Sequence, residues 1–517
     1  MRRVGRELEL KFALSGDQLE RLKAKPSQLG IAVGKPVTQT LRSVYFDTPE
    51  RALHEHGLTL RLRRVAGAWH QTVKAETGVL GGVSHPIELE TVVQGRKPDL
   101  AAISDRTVRR QLRKAIGQGR LAPVFETVVK RTQHHLKTAE GGEVELAFDK
   151  GEARANGRSI GICEAEIELK SGAPHCLLSV VDEVLAGEQL KLSERSKSEI
   201  GYGLVANKEW PKIEPLKSAA SAVQRNDSSG EALERTLQAV IRQVLHNWQA
   251  VLVSEDPEAV HQMRIGLRRL RTALQVFRPL IKSSFVDDVE RSVRDVAHLV
   301  GRLRDADVLA SDIVAPLEAH SGPSASLQPL LELVAERRGV MRQQVRTKLA
   351  SAEMVGLQLR LALLPAIAAD PSGETRRIRM SRPATAFSAK ALAKCWKKVA
   401  RQGRHLDELS DEERHELRKD LKTLRYAVEC CSPLYPAKKV ARFVKKLQKL
   451  QELFGYLNDV VVAQDLAQAA PEGKWAGAEM QRAAGYVIGW HTAHAEDTWQ
   501  TARAAWKKLK DTGRFWE

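Results

Sequence analysis

Up to about residue 205 the chain is a series of short segments in which apolar and charged residues alternate. Glu7-Leu8-Glu9-Leu10-Lys11-Phe12, Thr59-Leu60-Arg61-Leu62-Arg63 and Glu164-Ala165-Glu166-Ile167-Glu168-Leu169 all have a period of two. That period predicts β-strands. From about residue 230 the apolar positions instead recur every three to four residues over long stretches, which predicts helices. Between the two patterns lies the small, polar stretch Lys217–Gly230. The pattern therefore predicts an α+β chain: a strand domain over residues 1–205, a linker over 206–229 and a helical domain over 230–510.

The helical part contains an internal repeat. His261-x-x-Arg264-x-x-Leu267-Arg268-x-Leu270-Arg271 returns as His415-x-x-Arg418-x-x-Leu421-Lys422-x-Leu424-Arg425, 154 positions later. Gly301-x-Leu303-x-Asp305 returns at the same offset as Gly455-x-Leu457-x-Asp459. Two homologous halves follow, about 230–370 and 390–510, joined by a loop expected over Ala369–Lys390.

Charge sharpens this picture. Of 517 residues, 82 are Lys or Arg and 64 Asp or Glu, a formal net charge of +18. Such a surplus points to a polyanionic partner. Aromatic residues make up only 5%, too few for the stacking platforms of a single-strand nucleic-acid reader. Nucleic acid is therefore disfavoured. No uncharged apolar run of about 18 residues occurs, so no membrane partner is expected. The charged N-terminus has no secretory pattern, and five cysteines without a CxxC pair suggest reduced thiols. A cytoplasmic location is expected.

In the strand part the charged positions share faces. Glu7, Glu9 and Lys11 lie on one face; Thr59, Arg61 and Arg63 on another; Glu164, Glu166 and Glu168 form a ladder of carboxylates. A charged alternating strand is ordinarily a solvated sheet face. Same-face carboxylates repel, however, and need cations beside them. Acidic and basic sets together allow a second reading, a site for a metal-bound polyanion: carboxylates hold a hard divalent cation, and Arg and Lys clamp phosphate oxygens. In the helical part, His261, Arg264, Arg268 and Arg271 fall within a wedge of roughly 80°. His415, Arg418, Lys422 and Arg425 repeat it. Both stripes nearly lack the interleaved acids of a solvated, ion-paired helix face.

Residues 1–205 resemble the CYTH superfamily, the triphosphate tunnel metalloenzymes. The resemblance rests on Glu7-x-Glu9-x-Lys11, Tyr45-Phe46-Asp47-Thr48, Gly57-x-x-Leu60-Arg61-x-Arg63, Lys74, Arg131, Phe148-Asp149-Lys150-Gly151, Glu164-x-Glu166-x-Glu168-Leu169 and Ser196-Lys197 before Gly201-Tyr202. It implies an eight-stranded antiparallel β tunnel with helices outside and charges in the lumen. It implies Glu7, Glu9, Asp149, Glu166 and Glu168 as ligands for Mg²⁺ or Mn²⁺. Lys11, Arg61, Arg63, Lys74, Arg131 and Lys197 become phosphate clamps, with Glu88 beside them. Residues 230–510 resemble the CHAD domain, which implies duplicated four-helix bundles that bind inorganic polyphosphate. His261, Arg264, Arg268, Arg271, His415, Arg418, Lys422 and Arg425 are then the polymer contacts. The fusion resembles bacterial CYTH-CHAD inorganic triphosphatases. The implied activity is metal-dependent cleavage of tripolyphosphate to pyrophosphate and phosphate, with association to polyphosphate granules. The alternatives are an adenylyl cyclase, a nucleoside or thiamine triphosphatase, and a non-catalytic polyphosphate scaffold.

Overall fold

The computed structural model describes residues 8–65, 67–75, 79–80, 83–84, 87–188, 190–193, 195–206, 213–219, 221–318, 327–370, 373–468 and 477–517. It divides into two units, Met1–Ile213 with Ala352–Ile367, and Glu214–Ser351 with Ala368–Glu517.

The first unit is built on strands β1 (Leu8–Ala13), β2 (Val37–Asp47), β3 (Leu58–Val65), β4 (Ala68–Ala75), β5 (Val79–Leu80), β6 (Val83–Ser84), β7 (Ile87–Val93), β8 (Ala122–Lys137), β9 (Glu143–Ala155), β10 (Arg158–Ser171) and β11 (Lys191–Leu192). All eleven join one antiparallel sheet. β5, β6 and β11 are only two residues long; the rest are the eight expected strands. Helices α1 (Gly16–Gln28), α2 (Ala52–Glu55), α3 (Arg106–Ile116), α4 (Cys176–Val184) and α5 (Lys197–Val205) accompany them.

The sheet order is β5-β6-β1-β10-β9-β8-β2-β3-β4-β7, with β11 also on β1. The β5–β6 pair at one end of this order and β7 at the other are neighbours in the chain, since β6 ends at Ser84 and β7 begins at Ile87. β6 pairs with β1, Glu9 facing Ser84 and Leu10 facing Val83, while β7 pairs with β4. The sheet thus curls round on itself into a tunnel.

Register decides what lines it. Cross-strand neighbours share a face. Lys11 faces Glu166, Glu164 faces Asp149, and Asp149 faces Arg131. Across the sheet, Tyr45 faces Arg61, Thr59 faces Lys74, and Lys74 faces Glu88. The opposite face carries Leu10, Phe12, Leu146, Phe148, Ala165 and Ile167, all buried. α1 and α4 cover it there through the buried Leu19, Leu22, Leu177 and Val184. α3 covers the β3–β4 side, where Leu60, Leu62 and Val73 meet Val108 and Leu112. The charged face is therefore the lumen, not a solvated surface. It is apolar residues that face outward, under helices.

α5 starts on a capping box, Ser196 bonding the Glu199 backbone and Glu199 bonding back. Its Tyr202 and Leu204 pack with Tyr45, Phe125, Val129, Ala153, Ala155 and Ile162. Those strand residues lie on the lumen face, so α5 plugs the tunnel from inside. Tyr202 also donates to Asp47 at 2.8 Å. A Cβ at Gly201 would run into the Phe125 ring. Gly201→Ala is therefore expected to destabilise this unit by about 1–3 kcal/mol through overpacking, read as a lower urea midpoint with unchanged slope.

The second unit contains α6 (Ser229–Val253), α7 (Pro257–Ile281), α8 (Ser284–Val308), α9 (Ala315–Glu318), α10 (Gln328–Leu349), α12 (Glu374–Met380), α13 (Ala384–Gln402), α14 (Asp411–Cys431), α15 (Ala437–Gln468) and α16 (Ala478–Lys510), while α11 (Ala352–Ala369) groups with the sheet unit. The repeat is visible in three dimensions. α6-α7-α8-α10 and α13-α14-α15-α16 follow the same course, each helix packed on the next, and the two equivalent helices α7 and α14 pack together. Leu330, Leu333 and Val334 share a core with Met480, Ala483 and Val487, which joins the halves.

Two expectations are modified. The stretch Ala369–Lys390 is not a plain loop: it holds α12 and the first turns of α13. Two of its residues mark helix boundaries, Gly373 capping α12 and Pro383 preceding α13. Of the expected linker, 207–212 and 220 lie outside the described residues. The rest is strapped to the helices: Asn247 accepts from the Leu216 N–H at 3.0 Å and donates to its carbonyl at 2.9 Å. α11 is long and apolar enough to cross a membrane, and 56% of it is buried inside the fold.

Candidate functional site

The acidic wall of the tunnel comes from β9 and β10. Asp149, Glu164 and Glu166 are buried, and ligand oxygens of all three lie within 4.8 Å of one another. Three cations surround them. Lys197, at the first turn of α5, reaches Asp149 at 2.7 Å and Glu166 at 2.8 Å, and also pairs with Glu164. Lys11 reaches Glu166 at 2.9 Å and Glu9 at 3.4 Å. Arg131 forks onto Asp149 at 2.8 and 2.7 Å and pairs with Glu166.

Charge pairing here overcomes desolvation. Burial disfavours the Glu166 carboxylate, yet Lys11, Lys197 and Arg131 hold its pKa well below the usual 4.5. Asp149 is likewise lowered against its burial, by Lys197 and Arg131. Lys11 is raised despite burial by Glu166 and Glu9, and Lys197 by Asp149, Glu164 and Glu166. Glu164 goes the other way: burial and the Glu166 charge outweigh Lys197 and raise it. A lowered carboxylate contributes stability above its unfolded pKa and loses it as pH falls through the folded value. A raised lysine contributes below its unfolded pKa and loses it as pH rises through the folded value. Stability of the tunnel is therefore expected to fall below about pH 4 and again above about pH 10.5, while the raised Glu164 subtracts from it as pH rises past the ordinary carboxylate range. Urea midpoints measured across pH test this; a steady rise from pH 4 to 10 would overturn it.

The expected ligand set is only partly assembled. Glu164, absent from that set, stands with Asp149 and Glu166. Glu168 lies one row away, between Glu9 on β1 and Glu145 on β9, and pairs with Lys170 at 2.6 Å. Burial raises its pKa, Lys170 opposes that, and Glu145 and Glu9 add to it. Glu7 lies outside the described residues. The signal for Glu164 was present in the sequence, as the first member of the carboxylate ladder. Only the register shows that it is the one opposite Asp149.

The basic wall comes from β3 and β4. Arg61 pairs with Glu88 at 3.1 Å, and Lys74 pairs with the same carboxylate. Burial opposes the Arg61 charge, but Glu88 raises its pKa. Glu88 is thus a partner of the clamps. Arg63 differs. Its Nε donates to the Ser43 hydroxyl at 2.8 Å, and among the described residues it has no carboxylate within ion-pair distance. Burial, then the charge of Arg61, pushes it down to about 10. It stays charged at neutral pH, beside cations rather than an anion. Such a group gains from any anion that enters the lumen. The set can therefore grip a polyanion, and three converging buried carboxylates suit a hard divalent cation.

In the helical unit, α7 carries His261, Arg264, Arg268 and Arg271, and α14 carries His415, Arg418, Lys422 and Arg425. Arg264 donates to the Gly301 carbonyl at 2.6 Å and pairs with Asp305 at 3.0 Å. This ties two pieces of the sequence repeat together. A Cβ at Gly301 would come within 2.9 Å of the Arg264 guanidinium. His415 shares a 2.8 Å hydrogen bond with Asn458. Arg425 bonds Glu429 at 2.8 Å and Gln451 at 3.3 Å. The stripes of the two halves sense each other: burial lowers the Arg268 pKa, Tyr426 opposes this, and Arg418 and Arg271 add to it. Arg264 is lowered by burial and by Arg268, and His261 by burial and Arg304. The Asp459 side chain lies outside the described residues.

Comparison with known proteins matches both halves. The CYTH domain family model matches residues 5–202, and the CHAD domain model matches residues 235–468. An uncharacterized protein of Mycobacterium tuberculosis is 27% identical over 506 residues, covering 91% of this chain and 90% of its own. The crystal structure of a CHAD domain from Ricinus communis is 25% identical, covers 57% of this chain and 97% of its own, and has a TM-score of 0.49. A Hippeastrum protein, described as a putative adenylyl cyclase with dominant triphosphatase activity, is 19% identical. It covers 40% of this chain and 98% of its own, with a TM-score of 0.29. The register of the strands, the lumen they line and the duplicated helices agree with the family matches: the chain carries a CYTH domain at residues 5–202 followed by a CHAD domain at residues 235–468.

Proposed function

We propose that the tunnel hydrolyses inorganic triphosphate to pyrophosphate and phosphate, and that the helical domain binds inorganic polyphosphate. CYTH domains are tunnel metalloenzymes that act on triphosphates. The observation that carries the substrate class is Arg63: a half-buried guanidinium, next to Arg61, without a carboxylate of its own among the described residues. A tripolyphosphate carries about four negative charges, and its oxygens must be neutralised before water attacks. Arg61, Arg63 and Lys74 clamp the chain from one wall; Arg131, Lys11 and Lys197 do so beside the carboxylates. Asp149, Glu164 and Glu166 would hold a divalent cation, Mg²⁺ or Mn²⁺, whose charge polarises the scissile phosphoryl group. Glu88 positions Arg61 and Lys74. Burial of Lys11, Lys197, Asp149, Glu164 and Glu166 strengthens the contacts at the acidic wall.

The test is phosphate release from tripolyphosphate, ATP and thiamine triphosphate, with and without Mg²⁺ or Mn²⁺. Metal-dependent release from tripolyphosphate above the other two supports the reading. Preference for an organic triphosphate, or formation of cyclic AMP, overturns it in favour of the corresponding enzyme.

For the helical domain the support is the pair of cationic stripes on α7 and α14: burial lowers the Arg268 pKa, and Arg418 of the other stripe adds to that. Arg268→Ala with Arg418→Ala is expected to weaken binding of long-chain polyphosphate at least tenfold. It should also flatten the dependence of affinity on salt, since fewer counterions are released. Unchanged affinity and salt slope in binding titrations would place the polymer elsewhere.

A further inference from the structure

The second unit holds a cleft of about 990 Å³ to which neither reading above assigns a role. Its walls are the last turns of α7, the end of α12 and one face of α13. The apolar part consists of Val276, Pro279 and Leu280 from α7 with Ala386, Phe387 and Ala391 from α13. Phe387 is held in place by stacking on the buried Phe277, centroids 5.2 Å apart and rings 12° from parallel.

Above this floor stand cations. Lys390, Lys394, Lys397 and Arg401 follow one face of α13 at offsets 0, 4, 7 and 11, a line about 16 Å long at helical rise. Lys282 and Arg382 close the rim. The acids nearby are already engaged: Asp420 with Lys398 at 2.6 Å, and Asp287 and Glu290 with Arg278 at 2.6 and 2.8 Å. Among the described residues, no carboxylate lies within ion-pair distance of the six rim cations.

An inorganic polyanion needs charge alone; it gains nothing from an apolar floor. A purely apolar ligand would not explain an uncompensated cationic rim. A concave, mostly apolar site with a few convergent charged groups is the form small organic ligands take. We propose that this cleft binds a soluble amphiphilic phosphate, its apolar body over Phe387, Val276 and Leu280 and its phosphate on the lysine row of α13. Covering the floor removes apolar surface from water, and the phosphate supplies the charge that the rim lacks. The cleft is concave, so the ligand is a free molecule rather than a headgroup in a flat bilayer.

Cys395 lines the cleft and provides the reporter. Of the other cysteines, Cys163 is half-buried and Cys176, Cys430 and Cys431 are buried. In the full-length Cys163→Ser chain, alkylation of Cys395 by N-ethylmaleimide is followed with dodecyl phosphate kept below its micelle concentration. Dodecyl phosphate is expected to slow alkylation at least fivefold. Lys394→Glu/Lys397→Glu and, separately, Phe387→Ser should each raise the half-protecting concentration at least tenfold. These positions are not in the core, and unchanged melting confirms the fold. Equal protection by tripolyphosphate, unaffected by Phe387→Ser, would make the cleft a bare charge surface and overturn the proposal. Equal protection by dodecanol would make it an apolar pocket and do the same. Absence of protection by dodecyl phosphate, with lysine-dependent binding to phosphatidic acid vesicles, would reassign it to a membrane; absence of both would remove the site.

Discussion

An Arg63→Ala chain is expected to lose about 10²–10³-fold in kcat/KM on tripolyphosphate and yet to melt no lower than the unmodified protein. The two effects separate because Arg63 is poorly compensated in the protein itself. Among the described residues its hydrogen-bond partner is the Ser43 hydroxyl, a contact of about 1 kcal/mol. Burial and the neighbouring Arg61 both disfavour its charge, and removing it relieves that repulsion. An incoming phosphate gives it what the fold does not, so the loss falls on substrate. Steady-state kinetics and thermal melting on the same preparation check both halves. Full activity would remove Arg63 from the phosphate clamps. A melting temperature lower by several degrees would make it a structural cation.

The second large effect is Glu166→Gln. Here stability and activity should fall together. Glu166 takes Lys11 at 2.9 Å, Lys197 at 2.8 Å and Arg131. The amide keeps the shape but leaves three buried cations short of one charge. Breaking a buried pair in this way costs about 3–5 kcal/mol, roughly 10 °C for a unit of this size. Metal-dependent hydrolysis should drop by two orders of magnitude or more. Glu168→Gln is the control. Burial raises that carboxylate's pKa, and Glu145 and Glu9 add to this against Lys170, so its loss should be neutral or stabilising. If Glu166→Gln melts like the parent, the cations are compensated by other groups. If Glu168→Gln is the more damaging of the two, the acidic centre lies one row further along β10.

The sequence displayed the architecture unusually openly, because alternation and repeat are both local signals. A period of two with charges on one side reads as a strand wherever it occurs, and an offset of 154 between His261 and His415 needs no structure to be seen. What alternation leaves undecided is which face looks inward. Lys11 opposite Glu166 and Arg131 opposite Asp149 settle that. The choice between Glu164 and Glu168 was likewise beyond reach, since both belong to the same ladder and only pairing with β9 distinguishes them. Arg63 and Arg61 look equivalent as text. Their difference arises because Glu88, two strands away from β3 and next to Lys74, reaches one and not the other. The α13 cleft had no sequence signature: its floor comes from α7, more than a hundred residues earlier.

The closure of the sheet has a mechanical side. Among the described residues, β1 and β6 meet through only two residue pairs, whereas β1 and β10 share six. A cylinder sewn so unevenly breathes first along its thinnest stitch. Amide exchange should accordingly be faster for Val83 and Ser84 than for Ile167 or Phe148, and transient opening there would widen the bore without disturbing the carboxylates on β9 and β10.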